Sequence, residues 1–412
     1  GNQQIGYYDF IQTITTKGSM SDYSFDGTVL GQHATVSDPV SGDQTWEKVV
    51  SKNLGLDLNM FNNRLSLTTD FYIRDTKGIL GKGKSLPSIY GASEPQMNAN
   101  NLRTKGYELV LGWRDSFKLA GSTFSYGITG TFSDYTAEYT KCDNPTGLIG
   151  DPYVGKKYGE IWGYKVDGLF RNDKEAAEYA SRIDLSTVAS GYYTATGAYG
   201  KGVRGGDIKY FDLNGDNIVN GGKGTLDDPG DRRVIGNSSP RYQYGASLNF
   251  SWYGFDVSVF MQGIGRLDWY PGADNLRFWG PYCRPYATFV PKNFMSQVWS
   301  EENPDAYFPR ARAYTSLNSN SGTAYYTNDR YLQNLAYCRL KNLTIGYTIP
   351  RRLTSKVGIK ECRIYFSGEN LATWSALKSD FLDPEQAAAD SDKKANVYPW
   401  CKTYSIGLNL TF

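Results

Sequence analysis

The last nine residues, Tyr404 to Phe412, alternate without interruption. Tyr404, Ile406, Leu408, Leu410 and Phe412 share one face, and Ser405, Gly407, Asn409 and Thr411 share the other. A strand of ~9 to 11 residues with one apolar and one polar face suits a tilted crossing of a bilayer. It also suits the last strand of a soluble sandwich, and repetition upstream separates the two. Alternation recurs in pairs of blocks: 44–61 with 64–75, 104–114 with 122–133, 241–250 with 255–262, and 334–349 with 360–371. Within each pair the turn is short, as at Asn62-Asn63 or Trp252-Tyr253-Gly254. Between pairs lie long segments, roughly 76–103, 134–240, 263–333 and 372–400.

Short turns at one end and long connections at the other are the signature of a transmembrane barrel. The pattern therefore predicts an all-β chain: about nine strands of a large antiparallel barrel spanning 1–412, with 134–240 and 263–333 as large extracellular loops. Single-chain bacterial barrels have an even strand count, so nine strands are expected to close only with strands from elsewhere, on another chain or one separated from this one. Aromatic residues near strand ends, among them Trp46, Trp113, Trp252, Tyr253 and Trp374, suit the two interfacial girdles. One helix is expected in the largest loop, at Asn172 to Ala180, started by a capping Asn or Asp.

Composition narrows the function. No stretch approaches the ~18 consecutive apolar residues of a membrane helix, so contact with a bilayer falls to strands. Lys and Arg total 44 against 42 Asp and Glu, a formal charge of +2 that gives no reason to expect nucleic acid. The five cysteines stand at scattered spacings without a CxxC pair, against a zinc site or a disulfide framework. With no HExxH, no GxSxG and a single histidine, His33, read as a solvated loop residue, no catalytic constellation is found and no enzyme is expected. The first residues, Gly-Asn-Gln-Gln, carry no basic region and no apolar run, so a signal has been removed or the natural beginning lies elsewhere.

Several segments, in order, resemble one family: Gly1 to Gly6, Asn53 to Leu58 with Phe61 to Leu67, Gly206 to Asp216, Ile235 to Tyr242, Leu340 to Pro350, Tyr365 to Leu371, and the terminal Tyr404 to Phe412. As a set they resemble the SusC-like TonB-dependent outer-membrane transporters of the Bacteroidetes, over nearly the whole chain. The resemblance implies a barrel of about 22 strands with a plugged lumen, a SusD-like lipoprotein lid, and uptake energised by TonB. Plug and TonB box are not among these residues, so they are expected on another chain or in a region outside this sequence. It also implies that Tyr404, Leu410 and Phe412 stand in the positions read by the barrel-assembly machinery.

Two loops carry candidate chemistry. Asp212, Asn214, Asp216, the Ile218 carbonyl and Asn220 place oxygens at alternate positions, the spacing that wraps a loop around a hard cation such as calcium. Asn217 stands where the calcium loop of an EF-hand has its glycine and Lys223 where it has its bidentate Glu, so a loop that satisfies its own backbone is the competing reading. Asp227, Asp228 or Asp231 could complete the shell. Gly200-Lys-Gly-Val-Arg-Gly205 matches a dinucleotide pattern by letters only, since no helix follows it. In 263–333, Trp269, Trp279, Tyr282, Tyr286 and Arg284 form an aromatic and cationic set. Such a set suits lid docking, sugar stacking or packing within the loop.

The leading expectation is an outer-membrane importer of glycans, with oligopeptides as the runner-up substrate. A rival of another class is a secreted, calcium-bound carbohydrate-binding or adhesin β-protein, which would be water-soluble and not lipid-embedded.

Overall fold

The computed structural model describes residues 11–17, 33–42, 44–82, 88–194, 202–283, 290, 292–312, 315–317, 322–379, 382–389 and 398–412. Nine strands form one antiparallel sheet: β1 Lys48–Met60, β2 Leu65–Lys82, β3 Gln96–Leu119, β4 Ser122–Lys141, β5 Arg241–Trp252, β6 Phe255–Arg266, β7 Tyr337–Thr348, β8 Glu361–Ser375 and β9 Thr403–Thr411. Each strand neighbours the next in chain order, from β1 at one edge to β9 at the other. This is the nine-strand meander expected from the alternation.

The short turns explain the hairpins. Ala120 (φ 50°) with Gly121 (φ 85°), and Tyr253 (φ 49°) with Gly254 (φ 80°), are two-residue turns with both positions left-handed, the twist that matches paired strands. Phe61, Asn62 and Asn63 are all left-handed in the first turn, two of them residues that tolerate that region.

Three strands run further than alternation indicated. β2 continues to Lys82, β3 starts at Gln96 and extends to Leu119, and β4 continues to Lys141. Beyond a lipid band both faces of a ladder can be polar, so the strand persists where its apolar signal stops. Asn98 is typical: its amide donates to the carbonyls of Thr45 and Gly78, stitching the extension with side chains.

Two compact units are distinguished. The first comprises Gly1–Asn53, Tyr72–Lys105 and Thr136–Tyr158. It holds the small hairpin Ile14–Lys17 with His33–Val36. His33 thus opens a strand, where a loop had been expected. An ion pair here joins Arg103 and Asp75 at 2.7 Å.

The second unit comprises Leu54–Phe71, Gly106–Tyr135 and Gly159–Phe412. Its sheet sorts cleanly by register. Leu408 faces Ile364, Ile406 faces Phe366, Phe366 faces Ile345, Ile345 faces Val257, and Val257 faces Phe250. Cross-strand partners point to the same side. One face is therefore an unbroken apolar surface, and Leu408, Ile364, Ile345, Phe250, Leu248 and Ile128 are all exposed on it. The opposite face carries Asn409, Arg363, Gly346, Asp256, Ser251 and Ser125.

The hydrophobic core lies outside the sheet. Its members run from Tyr164 to Ala387 and come from the β4–β5, β6–β7 and β8–β9 connections. The segments expected as large loops therefore contribute a packed lobe with its own two-stranded antiparallel ladders: Glu160–Tyr164 with Arg232–Asn237, Val166–Leu169 with Ile208–Tyr210, and Asp268–Trp269 with Gln333–Asn334. The expected helix is present as α1, Asp173–Ala180. Its cap is Asn172, which accepts from the Glu175 amide at 2.9 Å, while the Glu175 carboxylate accepts from the Arg171 amide at 2.7 Å.

Candidate functional site: a two-faced wall and its lobe

Aromatic rings mark two levels on the wall of the second unit. At the long-connection end Phe71, Tyr107, Phe132 and Tyr242 form a row with centroids 6.4, 5.9 and 6.5 Å apart. At the short-turn end are Phe61 with Trp113, Phe117 with Phe124, Phe124 with Phe250, Trp252 with Tyr253, and Phe255 with Tyr347. Tyr242 and the pair Phe250 and Trp252 lie on the same strand, eight to ten positions apart. At ~3.4 Å per residue and a tilt of ~40° that is about 21 to 26 Å along the normal, close to the ~25 Å apolar band of an outer-membrane barrel.

The polar face is held by ion pairs. Arg363 binds Asp256 with Nε–Oδ1 at 2.9 Å and Nη2–Oδ2 at 2.5 Å. Nearer the lobe, Arg339 is buried and donates to Thr373, to both oxygens of Asp383 at 2.7 and 2.8 Å, and to Glu385 at 2.8 Å. Lys341 holds Glu385 through both of its oxygens at 2.9 Å. The segment carrying Asp383 and Glu385 is thereby fastened onto β7.

In the lobe, buried hydroxyls are satisfied one by one. Tyr210 donates to the Thr323 carbonyl at 2.5 Å, Tyr282 to the Pro309 carbonyl at 2.5 Å, and Tyr270 to the carbonyls of Ala324 and Tyr326. Burial pushes the hydroxyls of Tyr164, Tyr192 and Tyr307 up to about 12, so they remain neutral donors at any ordinary pH.

The aromatic set expected to meet lid or substrate is used inside this core. Trp269, Trp279 and Tyr282 are 5, 0 and 2 % exposed. Trp279 meets Phe278, Phe308 and Tyr331 edge-on. Tyr282 lies against Phe294 and Phe308, and all three side chains contribute to packing within the lobe. Tyr286 and Arg284 lie outside the described residues. The segment has no hydrophobic period, so its buried and exposed rings look alike in the sequence.

The Asp212 loop is a chain of Asx turns. Asp212 accepts from the amides of Gly215 and Asn217, Asn214 from Asp216, Asp216 from Ile218, and Asn220 from Gly222. The residue that locks it is buried Asp231, which accepts from Leu213, Asn214 and Asn220. Among the described residues no three His, Cys, Asp or Glu side chains gather to hold a metal, so an ion here would draw on amide and backbone oxygens. Tyr404, Leu410 and Phe412 are all exposed at the β9 edge.

No protein-family model matches the chain. It is 25 % identical over 435 aligned positions to TonB-dependent receptor P3 of Formosa agariphila, covering all of this chain and 38 % of the relative. It is 22 % identical to TonB-dependent receptor SusC of Bacteroides thetaiotaomicron, covering all of this chain and 36 % of the relative. Over its whole length the chain is similar to SusC-like TonB-dependent receptors. It spans about two fifths of the length of the relatives it matches. In fold, the structure of the RagAB peptide transporter superposes with a TM-score of 0.68 at 21 % identity, over all of this chain and 40 % of that one. SusC-like receptors are outer-membrane barrels of a non-enzymatic class that cross by strands. The exposed apolar wall accords with that location and displaces the expectation of a water-soluble adhesin.

Proposed function

We propose that this SusC-like chain forms part of the wall and external lobe of an importer that takes up glycans, with TonB supplying energy and a SusD-like lipoprotein acting as lid. The observation that carries the reading is the sorted sheet: an apolar band about 25 Å tall outside and ion-paired polar side chains inside. Its edge strands, β1 and β9, each pair on one side only within the described sheet. The proposal places the remaining strands and the plug there, whether on one polypeptide or two, and gives Tyr404, Leu410 and Phe412 to recognition by the assembly machinery. Support for a sugar comes from rings that do remain exposed on the β8–β9 connection: Tyr398 and Trp400. Oligopeptides are the second reading, because a solved protein of similar fold is named a peptide transporter.

The test is growth of a deletion strain complemented with the full-length gene, on single oligosaccharides and on peptides, with and without TonB. Glycan-dependent, TonB-dependent growth is expected. Growth restored on peptides alone moves the assignment to the second reading, and growth independent of the gene on every substrate removes both.

Calcium at Asp212, Asn214, Asp216, the Ile218 carbonyl and Asn220 is a further proposal. Asp212 and Asp216 retain acceptor capacity beyond the amides they hold. Calorimetric titration of the full-length receptor is expected to show one calcium ion bound, lost in Asp212→Ala. Heat-silent titration sinks it.

A further inference from the structure

The connection between β7 and β8 differs from the other short turns of the second unit in length and charge. It reads Pro350-Arg-Arg-Leu-Thr-Ser-Lys-Val-Gly-Ile-Lys360, with four basic residues and no acidic one before Glu361. Arg351–Thr354 is one helical turn, continued by the tighter turn Ser355–Val357. Arg351, Arg352, Leu353, Lys356 and Val357 are all exposed, Leu353 at 60 % and Val357 at 71 %. Positions four apart lie on one side of a helical turn, so Leu353 and Val357 form an apolar edge beside a basic edge of Arg352 and Lys356. Among the described residues, Arg351, Arg352 and Lys356 form no ion pair. Lys360 is committed differently: its ammonium donates to the Phe412 main-chain oxygen at 2.8 Å and its amide to Thr411 at 2.7 Å.

The position of this turn is fixed. Its preceding residue Thr348 donates to the Gly254 carbonyl at 2.7 Å, joining it to the neighbouring turn. Directly beside it, Phe255 and Tyr347 meet at a tilt, centroids 4.5 Å apart, in the short-turn aromatic row. Exposed apolar side chains on the turn that follows this ring row, edged by unpaired cations, match an interface of acyl chains and phosphates.

We propose that Arg351, Arg352 and Lys356 bind the phosphates of anionic glycerophospholipids in the leaflet at the short-turn end, with Leu353 and Val357 set among the acyl chains. The site fixes the depth of the wall in its membrane. The proposal rests on the membrane-barrel location and not on which substrate is carried.

The test uses the full-length receptor in nanodiscs of phosphatidylglycerol mixed with phosphatidylcholine, reading by mass spectrometry the lipids that stay bound on release. Wild type is expected to enrich phosphatidylglycerol, and each basic residue removed should lower that enrichment about fivefold, the factor equivalent to ~1 kcal/mol per residue near an anionic surface. The variant R351Q/R352Q/K356Q should lose it, R351K/R352K should keep it, and millimolar inorganic phosphate should leave it unchanged. Heat-modifiable migration on gels verifies that each variant is folded. No enrichment in wild type, enrichment retained in the triple Gln variant, or full competition by free phosphate each overturns the proposal.

Discussion

Arg363 on β8 reaches across Gly346 on β7 to grip Asp256 on β6. A Cβ built at Gly346 would lie 2.5 Å from both Arg363 Nη2 and Asp256 Oδ1. The missing side chain is what lets one ion pair span three strands on the polar face.

Gly346→Val is therefore expected to push the pair apart and to cost about 1 to 3 kcal/mol by overpacking. Asp256→Ala alone should cost about 1 kcal/mol or less, since the pair is partly exposed. Urea unfolding followed on gels gives both, and in the Asp256→Ala background the valine should cost less. Strict additivity of the two would show that Gly346 does not act through the pair.

The apolar face makes a directional expectation. Leu408→Arg places a charge in the band and should cost ~2 to 4 kcal/mol near the midplane, whereas Asn409→Arg on the polar face should be tolerated. Unfolding measured in lipid decides, and equal tolerance at both positions would contradict the assignment of faces.

Trp279 is fully buried among Phe278, Phe308 and Tyr331. Trp279→Ala is expected to loosen the lobe by about 3 to 5 kcal/mol and to make its connections sensitive to protease. The strands should still assemble. A protease pattern identical to wild type would argue that the ring is expendable packing.

Asp207 and Arg312 form a buried pair, with Nε–Oδ1 at 2.8 Å and Nη2–Oδ2 at 2.6 Å. Burial outweighs the pull of Arg312 and raises the Asp207 carboxyl from 3.8 to about 6. The folded lobe then holds a proton that the unfolded chain has released between about pH 4 and pH 6. Stability from this group is fully present below about pH 4 and is lost as pH rises through about 6. Fluorescence-detected melting should show that fall for wild type. Asp207→Asn, which is neutral at every pH, should flatten it.

Alternation alone located nine strands and their short turns, because a wall between lipid and a wet lumen imposes a period of two on every crossing. Leu408 could be assigned to its face from its neighbours in sequence, and Asn172 could be read as a cap from its place ahead of α1. The sequence also carried the SusC-like motifs that the relatives share. What it could not supply lies where no period operates. The same kinds of ring that girdle the barrel at Phe255 and Tyr347 are buried at Trp279 and Tyr282, and that burial depends on rings such as Phe308 and Tyr331 brought in from further along the chain. The oxygens from Asp212 to Asn220 read equally as ion ligands and as turn formers in the sequence, which does not show that Asp231 holds the loop's amides. The gap above Gly346 is likewise invisible in one dimension, since only the sheet register brings Asp256 and Arg363 to its two sides.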